Sequence, residues 1–316
     1  VMPSFVSWYQ QKVLSVEPEQ NRIQLADGSW MTYKTLVLAP GLELNWGAIE
    51  GLEETLGQNG VTSNYREGMA SYTWETVQRL KHGRALFSQP PMPIKCAGAP
   101  QKAMYLSSDH WLRQGVLKNI DVQFHNAGAV LFGVPDYVPA LESYIKKYGI
   151  DVKFQSNLVA VNGPARKATF RMTDAGGNTR DEEVGFDMLH AVPPQRAPEF
   201  VRTSILANEG GWLDLEDDTL RHKRFANIFG LGDASGTGNA KTAAAVRKQA
   251  PVVAENLLAT IRNQPLKAAY LGYGSCPLTV ENGRIVLAEF GYGGQLQPSF
   301  PKWLNDGTKA TRAVWW

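Results

Sequence analysis

The strongest constraint on the fold is an alternation of short apolar runs with helix-like stretches between residues 85 and 154. Three runs have the length and composition of buried strands, and two helices are predicted between them: the strands at 85–88, 120–125 and 151–154, the helices at 101–113 and 137–148. Strands that are joined through helices run parallel in one sheet. The alternation therefore predicts an α/β protein with a doubly wound parallel sheet.

The residues before this alternation predict further strands. A strand is expected over 5–16, a hairpin over 21–30 around the Asp27-Gly28 turn, and a buried strand over 35–39 that stops at Pro40-Gly41. The residues after it change pattern. Polar and apolar residues alternate over 157–184, which indicates a small antiparallel β insertion, and later elements are expected over 188–192, 225–233, 241–262 and 284–290.

Composition and charge exclude several classes of protein. The chain has 32 basic and 30 acidic residues, intermixed, so a nucleic acid is not indicated as its partner. No run approaches the roughly 20 apolar residues of a membrane-spanning helix. Two cysteines in 316 residues do not make the disulfide scaffold of a secreted protein, so an intracellular or redox role fits better. Residues 1–4 do not begin a signal peptide, and we expect the chain to be truncated at its start.

The two cysteines, Cys96 and Cys276, stand 180 positions apart among turn residues, and both are expected in loops. Lys95, Lys102 and the start of the helix after Cys96 would lower the pKa of that thiol. Each cysteine taken alone is also compatible with a structural free thiol. If the two meet in the fold, the protein is a candidate for two-electron sulfur chemistry.

A second signal is the sequence Gly230-Leu231-Gly232-Asp233 at the end of a predicted strand. Glycines allow the backbone to approach a ligand closely, and Asp233 could accept a hydrogen bond from a ribityl hydroxyl. The helix that follows could direct its positive end at a reduced flavin. The alternative is a tight turn in which Asp233 only caps the helix.

Two other possible sites are not favoured by the sequence. The turn around Gly98 lies where a second dinucleotide fold carries its glycine motif, but the G-x-G-x-x-G pattern is broken there, which argues against a nicotinamide site. The five histidines show no metal-ligand spacing, and His82 and His222 are expected to be solvated. No metal site is predicted.

The end of the chain is rich in tryptophan, at Trp303, Trp315 and Trp316. Indole rings prefer the headgroup region of a bilayer, so these residues could mark a surface that lies on a membrane. The alternative is that they pack back on the protein.

Taken in order, several segments resemble the sulfide:quinone oxidoreductases, in the branch of the mitochondrial enzyme and its bacterial relatives. The matching segments cover nearly the whole chain, and the two cysteine motifs are the specific ones: residues 93–106, 188–194, 229–233, 235–245, 273–278 and 285–290. The resemblance implies two Rossmann-like dinucleotide-binding domains of the FAD/NAD(P)-binding fold, the first one incomplete. The implied layout is 1–82 and 193–265 for the FAD domain, 83–192 for the second domain, and 266–316 for a C-terminal segment.

The same resemblance implies roles for individual residues. Cys96 and Cys276 would be the redox cysteines, joined at rest by a disulfide or by an inserted sulfur atom. FAD would be bound by Asp233 near its ribityl chain and by the backbone of Val13 near its adenine, with further residues lining the flavin: Lys102, Lys241 and Ala244. The implied substrates are hydrogen sulfide, a quinone such as ubiquinone, and a small thiol or sulfite that removes the sulfur. The implied location is the surface of the bacterial cytoplasmic membrane or the mitochondrial inner membrane.

One departure from the family leaves two rival interpretations open. The family begins with a G-x-G-x-x-G segment that holds the FAD pyrophosphate, and no such segment precedes Phe5. A type II NADH:quinone oxidoreductase is the first rival, and the broken motif at Gly98 argues against it. The second rival is a truncated flavoprotein fragment without catalytic activity.

Overall fold

Strands and helices follow one another along most of the chain, which is described over residues 3–315 in a computed structural model. Val1, Met2 and Trp316, and therefore the last residue of the tryptophan-rich tail, lie outside the described residues. The strands are β1 (Val13–Glu17), β2 (Arg22–Leu25), β3 (Trp30–Thr32), β4 (Leu36–Leu38), β5 (Glu43–Leu44), β6 (Val61–Thr62), β7 (Gly83–Gln89), β8 (Ile120–Asn126), β9 (Asp151–Phe154), β10 (Ser156–Asn162), β11 (Lys167–Thr173), β12 (Thr179–Gly185), β13 (Met188–His190), β14 (Gln195–Arg196), β15 (Ile228–Gly230), β16 (Gly274–Glu281), β17 (Arg284–Phe290) and β18 (Ala310–Thr311). The α-helices are α1 (Leu52–Thr55), α2 (Ala70–Arg79), α3 (Ala99–Arg113), α4 (Val138–Tyr148), α5 (Glu199–Arg202) and α6 (Ala243–Ile261).

The chain divides into two compact units, each built from separate segments. Among the described residues, the smaller unit contains 3–43, 196–238 and 246–271, and the larger unit contains 44–195, 239–245 and 272–315. The domain boundaries after residues 82, 192 and 265 stay a prediction.

The larger unit is built on a five-stranded parallel sheet with the order β6-β13-β7-β8-β9. The predicted α/β fold with a parallel sheet is therefore confirmed. Strand β7 buries apolar side chains on both faces: Phe87 faces a core shared with α3 and α4, and Leu86 faces a core shared with β10, β11 and β12. Phe87 and Phe124 pair across β7 and β8 and are fully buried, each contributing on the order of 2 kcal/mol through burial. Trp111 of α3 packs in the same core.

Two antiparallel sheets complete the larger unit. The first has the order β10-β11-β12 and confirms the predicted insertion over 157–184. The second has the order β16-β17-β18, with β16 at its edge. Helix α3 packs against β16, so residues at opposite ends of the sequence share one core.

The smaller unit contains an antiparallel sheet, β1-β2-β3, and a parallel pair, β4 and β15. The predicted hairpin at Asp27-Gly28 and the strand at 35–39 are confirmed. The strand predicted over 5–16 was wrong before Val13, since residues 5–12 form no strand. Its aromatic residues favour extended backbone, but Phe5 and Trp8 are 86% and 69% exposed, so no packing stabilises a strand there.

Candidate active site

Cys96 lies in the turn between β7 and α3, on a strained backbone. Its φ is +46°, a left-handed conformation that non-glycine residues rarely adopt and that is often found at functional sites. The turn is fixed by two backbone hydrogen bonds: the N–H of Cys96 donates to the carbonyl oxygen of Lys241 at 2.8 Å, and its carbonyl accepts from the N–H of Ala99 at 2.6 Å. The side chain is half-buried.

Cys276 lies within strand β16, so the prediction that it belongs to a loop was wrong. Pro277, which suggested a loop, is tolerated because β16 is an edge strand, where a missing N–H leaves no ladder bond unmade. Cys276 pairs with Ala288 of β17 and is fully buried in the core.

The fold brings the two cysteines together as free thiols, with their sulfur atoms 3.7 Å apart. Gly98 makes this approach possible. A Cβ atom at that position would lie 2.5 Å from Cδ2 of Leu278, a buried side chain of β16. Only a glycine lets the first turn of α3 lie this close to the strand that carries Cys276.

The pKa of the Cys96 thiol is lowered to about 6. The main cause is a hydrogen bond from the thiol of Cys276, and burial acts in the opposite direction. The ammonium group of Lys102, 3.6 Å from the sulfur of Cys96, and the backbone N–H of Gly98 lower the pKa further. Cys96 is therefore a thiolate at neutral pH.

The same contact raises the pKa of the Cys276 thiol, because Cys276 is the hydrogen-bond donor to Cys96, is buried, and faces the negative charge of Cys96. The pair holds one proton near pH 7, and Cys276 keeps it. We call Cys96, Cys276 and Lys102 the thiol site.

Two residues beside the thiol site had no signal in the sequence. Gln195 accepts a hydrogen bond from the N–H of Lys95 at 2.7 Å. The ammonium group of Lys95 lies over the ring of Tyr65, 5.6 Å from the ring centroid. Lys102 supplies the charge that lowers the pKa of Cys96, and an effect of Lys95, whose ammonium group faces Tyr65, stays a prediction.

The other predicted cofactor-binding residues are divided between the two units. Lys241 is buried, and Ala244, the second residue of α6, is half-buried, both in the larger unit. Asp233 follows β15 in a 3-10 turn of the smaller unit and is half-buried. Val13 begins β1 and packs against the core of that unit. Their roles stay a prediction.

The histidines differ in part from expectation. His222 is buried, and its Nε2 lies 3.1 Å from the carbonyl oxygen of Leu206, so the prediction of a solvated ring was wrong. The charged neighbour Arg221 suggested that the His222 ring is exposed, but the ring faces the core of the smaller unit. His190 is fully buried at the end of β13, and burial lowers its pKa to about 4. Within residues 3–315, no group of three or more His, Cys, Asp or Glu side chains could hold a metal ion.

Two solved structures show the class of fold. A chain of the mitochondrial ATP synthase of Tetrahymena thermophila is 25% identical, with a TM-score of 0.80 over 94% of this chain and 73% of its own length. The sulfide:quinone oxidoreductase of Aquifex aeolicus is 22% identical, with a TM-score of 0.75 over 92% of this chain and 68% of its own. These likenesses show that the chain shares its α/β fold with the two proteins.

Sequence similarity then shows the family. The mitochondrial sulfide:quinone oxidoreductases of Mus musculus and Dictyostelium discoideum are 36% and 38% identical, over 95% of this chain and 66% of each relative. The chain belongs to the sulfide:quinone oxidoreductase family, and it spans just under two thirds of the length of these relatives. No family model matches it.

Proposed function

We propose that this protein oxidises hydrogen sulfide to sulfane sulfur, with FAD as its cofactor and a quinone as the electron acceptor. The observation that carries the proposal is the pair of thiols, Cys96 and Cys276, at a sulfur–sulfur distance of 3.7 Å and with pKa values shifted in opposite directions. Membership of the sulfide:quinone oxidoreductase family supports the same chemistry.

In the disulfide form, the sulfur step starts from a direct S–S bond between Cys96 and Cys276. Hydrosulfide attacks the sulfur of Cys276 and forms a new S–S bond, the bond to Cys96 breaks, and Cys96 leaves as a thiolate. Cys276 then holds a persulfide. A small thiol or sulfite removes the outer sulfur atom and leaves Cys276 as a thiolate, and joining the two thiolates again releases two electrons.

The distance between the two sulfur atoms also bears on the resting form. A direct disulfide bond is about 2.05 Å long, so the thiols must approach by well over an ångström to form one. A single sulfur atom inserted between Cys96 and Cys276 would need a smaller movement from 3.7 Å. The separation therefore supports the inserted sulfur as one resting form.

The different environments of the two thiols support this division of roles. A thiol with a lower pKa is the better leaving group, so Cys96 is the sulfur released and Cys276 the one attacked. Lys102 stabilises the negative charge that develops on Cys96. Because Cys276 is fully buried, only a small nucleophile such as hydrosulfide fits its surroundings.

The residues present fit a flavin. Asp233 offers a half-buried carboxylate directly after a strand, where it can accept hydrogen bonds from ribityl hydroxyls. Lys102 and Lys241 offer positive charge for an anionic flavin ring, and Ala244 adds a small side chain in the first turn of α6. The backbone of Val13 would contact the adenine end. When bound, FAD supplies the acceptor for the two electrons and passes them to the quinone.

A membrane surface is the expected source of the quinone, ubiquinone or a similar one. Trp303 is 85% exposed, and the neighbouring Phe300 and Leu304 are exposed as well, as expected for side chains that enter the headgroup region. Trp315 is half-buried and therefore offers less apolar surface to a membrane. No helix among residues 3–315 has the length and apolarity needed to cross a bilayer. We therefore propose peripheral contact with the mitochondrial inner membrane or the bacterial cytoplasmic membrane.

The test is anaerobic reduction of the bound flavin by sulfide, followed as the loss of its absorbance. We expect bleaching in the purified protein, and its loss in both Cys276→Ser and Cys96→Ser. Bleaching by dithionite is the control that each variant retains a reducible flavin. Unchanged bleaching by sulfide in either variant, or bleaching by NADH but not by sulfide, would contradict the proposal.

A further inference from the structure

Two buried hydrogen-bond donors beside the thiol site have no partner among residues 3–315. They are the hydroxyl of Tyr65 and the amide nitrogen of Gln195, a residue only 8% exposed. Leaving a buried donor unpaired costs about 1–3 kcal/mol, and folded proteins pair nearly all such groups. Two of them close to reactive cysteines indicate that a ligand completes the site.

Both donors are fixed to the residue directly before Cys96. The carbonyl oxygen of the Gln195 side chain accepts the N–H of Lys95, which orients the remaining amide N–H₂ group. The ring of Tyr65 faces the ammonium group of Lys95. Tyr65 and Gln195 therefore both contact Lys95, the residue directly before Cys96, from two different segments of the larger unit.

The charges around these donors define the ligand. The phenol of Tyr65 interacts electrostatically with both Cys96 and Cys276, and these charges add to burial in raising its pKa. Its hydroxyl makes no hydrogen bond with either sulfur. Lys95 and Lys102 supply positive charge on this side. A small anion that only accepts hydrogen bonds fits such surroundings.

We propose that Tyr65 Oη and Gln195 Nε2 bind the outer, negatively charged sulfur atom of the persulfide that the thiol pair carries. The proposal rests on the proposed function, because that reaction places a persulfide at this position. Tyr65 and Gln195 would hold the persulfide in its anionic form and slow its loss until an acceptor arrives. Both are additional substrate-binding residues, outside those that the cysteine motifs indicated.

The test loads the purified protein with inorganic tetrasulfide. A thiolate of the pair takes one sulfur atom from the tetrasulfide, a new S–S bond forms, and trisulfide leaves, so no further oxidant is needed. Mass spectrometry of the alkylated peptides shows how much of the added sulfur is on Cys276. The half-life of the bound sulfur is then measured with cyanide, whose carbon attacks the outer sulfur and gives thiocyanate and the cysteine thiolate. We expect Tyr65→Phe and Gln195→Met each to shorten this half-life by about tenfold, as the loss of a hydrogen bond to a charged group predicts.

Tyr33→Phe is the matched control. The hydroxyl of Tyr33 is also buried without a partner among the described residues, but Tyr33 belongs to the smaller unit and its pKa is raised by burial alone. We expect the parent half-life in this variant. The melting temperature of Tyr65→Phe, measured without bound sulfur, should be unchanged or higher, because this substitution removes an unpaired buried hydroxyl and no hydrogen bond. That result separates a binding role from a structural one.

Three results would overturn the inference. One is a parent-like half-life in Tyr65→Phe. Another is loss of flavin from Tyr65→Phe with an unchanged half-life, since the donor would then serve the cofactor. The third concerns free sulfite as a ligand that protects Cys96 from alkylation. If sulfite protects Cys96 less well in Tyr65→Phe than in the parent, and the half-life of the bound sulfur is unchanged, the donors would bind a free anion and not the persulfide. Failure of the parent to bleach with sulfide, together with a shortened half-life in the variants, would contradict the proposed function and leave the sulfur site supported.

Discussion

The loop that carries Cys96 and the hairpin that carries Cys276 give the same side chain opposite properties. The loop holds Cys96 half-buried, at a φ of +46°, beside the ammonium group of Lys102. The hairpin holds Cys276 fully buried in regular antiparallel pairing. The pKa of the thiol falls to about 6 in the loop and rises in the hairpin.

This difference indicates how one pair of thiols can perform two roles. The loop provides charge and an accessible sulfur, at the cost of backbone strain. The hairpin provides a fixed position that water does not reach. Variants of the loop should therefore alter reactivity, and variants of the hairpin's supports should alter stability. The three changes below test that separation.

The largest effect is expected where the two regions touch. Gly98→Ala would place a Cβ atom 2.5 Å from Leu278 and push the loop away from the hairpin. Misplacing reacting atoms by about an ångström can cost on the order of 100-fold in rate, so we expect a loss of that size in flavin bleaching by sulfide. Gly133→Ala is the control, because no atom lies within 4 Å of its Cβ position. Equal rates in the two variants would show that the close approach is not needed.

A smaller effect is expected in the electrostatics of the loop. The charge of Lys102 favours the thiolate, so Lys102→Met should raise the pKa of Cys96 from about 6 by about one unit. The pH dependence of alkylation by iodoacetamide measures this shift: the midpoint moves to higher pH, and the rate below it falls. Lys102→Arg should restore the parent midpoint, and the exposed Lys118→Met should leave it unchanged. A parent-like midpoint in Lys102→Met would assign the low pKa to the hydrogen bond from Cys276 alone.

The smallest effect on reactivity is expected in the hairpin. The hydroxyl of Tyr137 donates to the carbonyl oxygen of Glu289 and accepts from its N–H, both at 2.9 Å. Tyr137→Phe removes both bonds, although the carbonyl oxygen of Glu289 still accepts the N–H of Gln297 at 3.0 Å. The substitution should lower the free energy of unfolding by about 1–3 kcal/mol, while the alkylation midpoint of Cys96 stays the same. Denaturant unfolding measures the first quantity, with the exposed Tyr9→Phe as control. A shifted alkylation midpoint with an unchanged free energy of unfolding would contradict the assignment of reactivity to the loop and stability to the hairpin.

Much of the fold could be predicted from the sequence, because the signals were local. The strands at 85–88, 120–125 and 151–154 are short apolar runs between helices, and the parallel sheet follows from that pattern. The strand predicted over 5–16 was wrong before Val13, because a strand there would need a packing partner that no local signal specifies. Aromatic residues such as Trp8 favour a strand, but only a packing partner stabilises it, and the sequence does not specify one.

The thiol site could be predicted only in part. The turn and lysine around Cys96 indicated a lowered pKa, and Lys102 does lie beside the sulfur. The strand position of Cys276 was missed because Pro277 is typical of loops and its place at a sheet edge depends on distant pairing. Tyr65 and Gln195 are far from both cysteines in sequence, so only the folded chain brings them to the site.

The most direct test of the account identifies which cysteine carries the sulfur. The protein is treated with sulfide, alkylated at once, and digested, and the peptides of Cys96 and Cys276 are weighed by mass spectrometry. The account predicts one added sulfur atom on the Cys276 peptide and a directly alkylated thiol on the Cys96 peptide. Added sulfur confined to Cys96, or absent from both peptides, would contradict it.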